Sequence, residues 1–182
     1  MYEIELTESL FPPQTNDELR DITIGGLLRE TAEQFADSIA IVDIALDGSP
    51  TQQWNYGELL AISEKLAMGL ASRFEPGEKV VVWAPNIPAW LFIEYACALA
   101  GLVLVTANPS FQARELRYVL EQSGAVALFR VEGFRGNPMD EIAAEAVAGG
   151  VAIATGQDCA DTYGVLPISM NEYALAKERV RY

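Results

Sequence analysis

The side chains best placed to do chemistry in this 182-residue chain fall in three short loops, residues 84–88, 107–111 and 130–137. Each follows a run of β-branched and apolar residues. The first holds Asn86 and the second Asn108, both next to proline, and the third holds Arg130 and Arg135. Asparagine beside proline is ordinary turn and cap chemistry, and an arginine in a loop is most simply solvated. None of the loops has the G-x-G-x-x-G or G-x-x-x-x-G-K-S/T spacing that brings backbone N–H groups onto phosphates. No strand ends in a carboxylate pair able to hold Mg2+, which argues against a phospho-acceptor receiver. The chain has no histidine, so within it there is no Ser-His-Asp triad, no Cys-His pair and no histidine metal ligand. Cys97 and Cys159 are far apart and form no C-x-x-C or disulfide framework. Cys97 lies in an apolar helix and reads as a small core residue.

These loops attract attention because of the elements that carry them. Lys79 to Ala154 reads β-α-β-α-β-α-β, which specifies a mostly parallel sheet with helices on both faces. Ligands of such sheets bind at the carboxyl ends of the strands. Val80 to Trp83 is the first strand. A helix from Ala89 to Ala100 follows, with Trp90, Leu91, Phe92, Ile93, Tyr95 and Leu99 expected inside. Gly101 ends it, and Leu102 to Thr106 is the next strand. Hydropathy alone would allow a membrane span from Ala89 to Ala107, charged only at Glu94. The Gly101 break and the β-type residues after it argue instead for helix, then strand. A helix over Gln112 to Gln122 turns Leu116, Val119 and Leu120 inward and stops at Gly124. Ala125 to Phe129 is a strand. Asn137 then caps a helix with Pro138 at its first position, Gly149-Gly150 closes it, and Val151 to Ala154 is a last strand.

Ahead of this unit, Met1 to Asp21 reads as an irregular arm, and residues 22–182 as a single α/β domain. Thr23 caps a helix over Ile24 to Ala36, with Ile24, Leu27, Leu28, Thr31, Ala32 and Phe35 on one face. Gly25-Gly26 weaken its first turn. Ser38 to Ile44 and Thr51 to Trp54 form a short hairpin around Asp47-Gly48. Asn55 and Glu58 make a capping box for a helix that carries Leu59, Ile62, Leu66 and Leu70 and ends near Ser72. Glu75-Pro76-Gly77-Glu78 is a turn. Thr155 to Pro167 is turn-rich, and Ser169-Met170-Asn171-Glu172 starts a final helix. The net charge of −14 makes a nucleic-acid partner unlikely to bind such a surface, and the acidic N-terminus has no signal core, so a cytoplasmic location is expected.

Taken in order, the residues resemble a known family, the acyl-adenylate-forming enzymes that include the acyl-CoA synthetases. Thr23-Ile24 with Leu27-Leu28 is similar to the opening of that family's first helix. Trp54-Asn55-Tyr56-Gly57-Glu58-Leu59 resembles its W-S/T-Y-x-E-L, and Pro76-Gly77-Glu78-Lys79-Val80 its P-G-D-R-V. Pro85-Asn86 with Trp90 is similar to P-N-x-x-E-W. Ala100-Gly101, Asn108-Pro109, Glu115-Leu116 and Tyr118 follow the family's A-G-A, N-P and E-L-x-Y. The likeness runs from Ile22 to Arg135 and is nearest to the fatty-acyl-CoA synthetases. It implies that the chain is part of their N-terminal domain. It also implies a two-step ligase: a fatty acid attacks the α-phosphate of ATP, with Mg2+, to give acyl-AMP and pyrophosphate, and the thiol of coenzyme A then displaces AMP.

The family's phosphate loop, its adenine and ribose motifs and its catalytic lysine are not in this sequence. The expectation is therefore an N-terminal piece that by itself neither adenylates acids nor holds ATP, Mg2+ or coenzyme A tightly, and that has no catalytic residue or metal ligand of its own. The resemblance leaves one candidate contact region. The loop of Glu132-Gly133-Phe134-Arg135-Gly136 matches one that carries an arginine near the coenzyme A nucleotide. That of Asn108-Pro109-Ser110-Phe111 matches one beside the pantetheine path. Arg135, Asn108 and Ser110 are the candidate site residues. Two other readings stay open: a non-catalytic binding or assembly module of the same fold, and another adenylating enzyme such as a peptide-synthetase adenylation domain or a luciferase-like ligase. Apolar surface meant for a missing part would favour self-association, with a homodimer as its simplest form.

Overall fold

Val80, Val81, Val82 and Trp83 are all wholly removed from solvent. Successive side chains of a strand point to opposite faces, so both faces of this one are covered. The computed structural model describes residues 20–45, 47–131 and 133–148, with the backbone of 154–155. In chain order the elements are α1 (Ile24–Phe35), β1 (Ile39–Ile44), β2 (Pro50–Asn55), α2 (Tyr56–Ala71), β3 (Lys79–Trp83), α3 (Pro88–Ala100), β4 (Val103–Ala107), α4 (Ala113–Ser123), β5 (Ala127–Arg130), β6 (Gly133–Phe134), β7 (Asn137–Pro138), α5 (Met139–Val147) and β8 (Ala154–Thr155). Strands β4, β3, β5 and β8 lie side by side in that order, and every pairing is parallel. β1 and β2 form the antiparallel hairpin. The expected α/β class and N-terminal hairpin are both present.

The register matters for function. Trp83 pairs with Ala107 on one side and with Arg130 on the other. Strands β3, β4 and β5 therefore finish level, and the loops that follow them leave from one edge.

Local chemistry explains most boundaries. Thr23 Oγ1 accepts from the Gly26 N–H at 3.0 Å and caps α1. Asn55 and Glu58 exchange the reciprocal bonds of a capping box at the start of α2, at 2.8 and 2.9 Å. At the end of α3, Gly101 takes a left-handed conformation with φ 74°, and the Leu102 N–H reaches back to the Cys97 carbonyl at 2.9 Å. No helix among the described residues is long and apolar enough to cross a membrane.

Two apolar clusters result. The larger surrounds the sheet and joins α2 and α3 to α4 and α5. The smaller holds Leu28, Ile41, Trp54, Leu59 and Phe92, and ties α1 and the hairpin to α3. Within it, Trp54 meets Phe92 edge-on, with centroids 5.4 Å apart and planes at 77°.

Several expectations need correction. On α1 only Leu28 and Ala32 of the predicted face are buried. Ile24, Leu27 and Phe35 are exposed, because α1 packs through Gly25 instead. A Cβ at Gly25 would come within 2.9 Å of Leu99 Cδ2 and 3.3 Å of Leu99 Cα, so this glycine permits close approach of α1 to α3. On α3, Leu91 is exposed and Trp90, Tyr95 and Leu99 are half-buried. The buried positions are Pro88, Ala89, Phe92, Ile93, Ala96 and Cys97. The small residues Ala89, Ala96 and Cys97 form the tight seam, which leaves larger ones at its margins. Asn137-Pro138 does not start α5 as cap and first residue. The pair forms β7, the return strand of a small hairpin, and the helix begins at Met139. Residues 1–19 of the expected arm over Met1 to Asp21, most of the last strand and the C-terminal helix lie outside the described residues.

Candidate functional site

The loop between β4 and α4 is held from below by a buried side chain. Trp83, the last residue of the central strand, is fully buried, and its indole Nε1–H donates to the Asn108 carbonyl at 2.8 Å. The same carbonyl accepts from the Phe111 N–H at 3.0 Å. Asn108 Oδ1 in turn accepts from the Ser110 N–H at 2.9 Å, an Asx turn that shapes the loop tip. The expected turn-capping role of Asn108 is met, and Asn108 and Ser110 are brought together with both side chains exposed. Asn86 behaves differently. The N-cap position of α3 belongs to Ile87, with Pro88 at the first turn, and Asn86 stands exposed beside it.

Arg135 lies at the tip of the β6–β7 hairpin. Its φ is 49° and that of Gly136 is 82°, so both central residues of this two-residue turn are left-handed. Glycine and asparagine take that conformation readily. An arginine does so at a cost of roughly 1–2 kcal/mol. Arg135 is the single non-glycine residue with positive φ among the described residues. Its guanidinium sits 5.1 Å from the centroid of the Phe134 ring, and Phe134 packs against the main core. The result is an exposed cation aimed by an aromatic platform. A rigid guanidinium of this kind suits an anionic oxygen ligand such as a phosphate.

The hairpin and the loop are in contact. Asn137, at the base of the hairpin, donates from Nδ2 to the Pro109 carbonyl at 3.4 Å and accepts at Oδ1 from Gln112 Nε2 at 3.0 Å. Gln112 is fixed where α4 begins, because Glu115 Oε2 accepts its backbone N–H at 2.8 Å. Nearby, Arg130 at the end of β5 is ion-paired with Asp140 on α5. The structure therefore gathers Asn108, Ser110 and the Arg135 hairpin on the carboxyl edge of the sheet.

Sequence reasoning missed Trp83 and Gln112 as members of this edge, and it read Asn137, the last residue of the third loop, as a helix cap. The hairpin that carries Asn137 left little local sign: its turn is Arg135-Gly136 rather than Asn-Gly or Asp-Gly, and its strands are two residues long. Trp83 gave no such sign, since its role depends on a tertiary bond.

Among the described residues no group of three or more His, Cys, Asp or Glu side chains could hold a metal ion. Among the described residues this edge offers the exposed cation Arg135, the exposed polar side chains of Asn86, Asn108 and Ser110, and a backbone held by hydrogen bonds. That suits an anionic or polar chain, and among the described residues it includes neither a nucleophile paired with a base nor a metal centre.

The class that this fold and edge define is a parallel α/β domain with its loops gathered beyond the strand ends, where sheets of this kind bind ligands. The chain belongs to the AMP-binding enzyme family, whose model matches residues 28–175. It is 37% identical over 128 residues to YngI of Bacillus subtilis (strain 168), whose name marks it as a candidate acyl-CoA synthetase. That match takes in 69% of this chain and 22% of YngI. It is 34% identical over 122 residues to the mouse mitochondrial medium-chain acyl-CoA ligase ACSF2, covering 66% of this chain and 19% of the relative. The chain thus spans about a fifth of the length of these curated relatives. Among solved structures it is similar to apo MbtA of Mycobacterium smegmatis, with TM-score 0.67 and 25% identity over 81% of this chain and 28% of the other. A long-chain-fatty-acid-CoA ligase, FadD1 of Archaeoglobus fulgidus, shares the fold, with TM-score 0.63 and 23% identity over 75% of this chain and 27% of that one.

Proposed function

We propose that these residues are the N-terminal portion of an ATP-dependent acyl-CoA synthetase that acts on medium- or long-chain fatty acids. The observation that carries this reading is the 34–37% identity with proteins named as acyl-CoA synthetase or ligase. In this reading Arg135, held out over Phe134, contacts a phosphate of coenzyme A. Asn108 and Ser110 shape the wall along which its pantetheine arm passes. Coenzyme A supplies the thiol that takes the acyl group. The contribution of these residues is to orient it and to neutralise charge, which needs geometry more than acid–base chemistry. The described residues do not fit Mg2+, and no step with ATP is assigned to them. Residues 1–182 alone are accordingly proposed to be inactive.

The test is to express both the protein encoded by the whole reading frame and residues 1–182. Each is assayed for pyrophosphate release and acyl-CoA formation with ATP, Mg2+, coenzyme A and fatty acids of graded length. We expect acyl-CoA from the first and no turnover from the second. Turnover by residues 1–182 overturns the proposed inactivity. Acyl-AMP formed without thioester, whatever the acid, overturns the coenzyme A reading in favour of another adenylating enzyme. A cytoplasmic location and a homodimer belong to the same proposal and are checked by cell fractionation and by sedimentation of the purified protein.

A further inference from the structure

The Arg135 hairpin is too small to hold itself. It has two residue pairs, Gly133 with Pro138 and Phe134 with Asn137, and a turn with an arginine at positive φ. A two-stranded ribbon of this size is not stable alone in water, and the arginine's backbone conformation adds to the cost. Contacts from outside must fix it. Phe134 supplies one by packing on the main core. Another is polar and specific. Both ends of the Asn137 amide are used, and both partners lie in the segment that joins β4 to α4: the Pro109 carbonyl and the Gln112 side chain. The two partners flank Ser110 and Phe111 in sequence. That segment is itself anchored through Asn108 to the indole of buried Trp83. A continuous path of hydrogen bonds and backbone therefore runs from the central strand, through the loop, to the hairpin.

We propose that Asn137 is a positioning residue that locks the Arg135 hairpin to the Asn108–Phe111 loop, so that both meet a ligand as one rigid rim. Its ligand-related part rests on the coenzyme A reading given above. The chemistry requires an amide. Aspartate at 137 could still accept from Gln112 but would set a carboxylate against the Pro109 carbonyl. Alanine would lose both bonds. Each bond is partly exposed, so the expected effect is moderate, about fivefold for a net loss near 1 kcal/mol.

Amide hydrogen exchange on the 182-residue chain tests the lock without reference to any ligand. In Asn137→Ala, exchange should rise about fivefold both in residues 133–137 and in residues 110–112, with Val80 to Trp83 unchanged as proof of an intact core. Gln112→Ala should loosen the hairpin although it lies 25 residues away in sequence, and Asn137→Asp should fall between Asn137→Ala and the native chain. Hairpin exchange unchanged in Asn137→Ala overturns the proposal.

In the enzyme from the whole reading frame, Asn137→Ala should raise KM for coenzyme A about fivefold and leave acyl-AMP formation unaltered. Arg135→Ala serves as the reference. If it raises that KM and Asn137→Ala does not, the positioning role is wrong. If Arg135→Ala leaves KM unchanged, the coenzyme A reading fails, and the exchange experiment alone decides the lock.

Discussion

The centre of the sheet and its carboxyl edge are built by opposite means. In β3, four consecutive side chains have no exposure, and the surrounding Leu116, Leu120, Leu128 and Met139 are almost as deeply enclosed. Nothing there depends on one polar contact. At the edge, Asn108, Ser110 and Arg135 are exposed, and their positions depend on a handful of hydrogen bonds and one left-handed arginine. Stability resides in the first region, and recognition is proposed for the second. Substitutions should therefore separate the two: those in the core unfold the chain, and those at the edge change what it binds.

The largest effect is expected deepest in the core. Leu116→Ala removes a fully buried side chain of α4 and should cost about 3 kcal/mol, within the range for Leu→Ala at enclosed sites. A urea titration gives the value. A loss below about 1 kcal/mol would mean that Leu116 is not enclosed in the core. The same core should resist ionisation. Burial, helped by Glu94, pushes the Cys97 thiol up to about 12 from its ordinary value of 9.0. Burial, with Glu94 and then Tyr56, also raises the Tyr95 phenol. Between these limits the unfolded thiol has lost its proton while the folded one keeps it. The folded state then binds more protons, and stability falls as pH rises from about 9 towards 12. Its slope from Cys97 is at most about 1.4 kcal/mol per pH unit. Cys97→Ala should flatten this part of the stability curve, and an unchanged slope would show that the thiol is not enclosed.

The contrast between the regions also explains what was legible in the sequence. Core elements announced themselves locally. Val80 to Trp83, the Asn55–Glu58 capping box, the Gly101 stop and the Gly124 stop each depend on residue types within a few positions. The edge does not work that way. The bond from Trp83 to Asn108 spans 25 residues, and so does that from Gln112 to Asn137. No propensity encodes either. Asn137-Pro138 shows how a local rule can lose: the dipeptide is a sound helix start, yet the Asn137 amide is drawn to Pro109 and Gln112, and α5 begins one residue after the proline. Gly25 is similar. On helix propensity it is a weakness, whereas in the fold it clears space for Leu99. The strand ends located the candidate loops and the family resemblance chose residues within them, but their mutual contact emerged only in three dimensions.

Trp83 belongs to both regions, and Trp83→Phe sharpens the boundary between them. The indole N–H is lost, while the Asn108 carbonyl still accepts from Phe111 and is not left unsatisfied. We expect a cost of about 1 kcal/mol for the bond. We also expect faster amide exchange at Ser110 and Phe111, with β5 undisturbed. A uniform rise in exchange across β3, β4 and β5 would instead make Trp83 purely a packing residue and remove the division drawn here.

The smallest effect on stability, and the one most specific to the edge, is expected at Arg135. Left-handed backbone costs arginine roughly 1–2 kcal/mol and glycine almost nothing, but glycine has more freedom to lose on folding, by roughly 0.5–1 kcal/mol. The Phe134 contact is also lost, at about 0.5 kcal/mol for an exposed cation–π pair. These terms nearly cancel. Arg135→Gly should therefore leave stability within about 1 kcal/mol of the native chain, shifted if at all upward. Arg135→Ala keeps the unfavourable φ without the side chain and should be the less stable of the two. A thermal denaturation series of the three proteins shows the order directly. If arginine at this position is retained for recognition, the glycine variant should pair near-native or higher stability with weaker coenzyme A binding in the full enzyme. If Arg135→Gly is instead the most destabilised of the three, the side chain holds the hairpin through Phe134, and the tip of the edge is a structural strut.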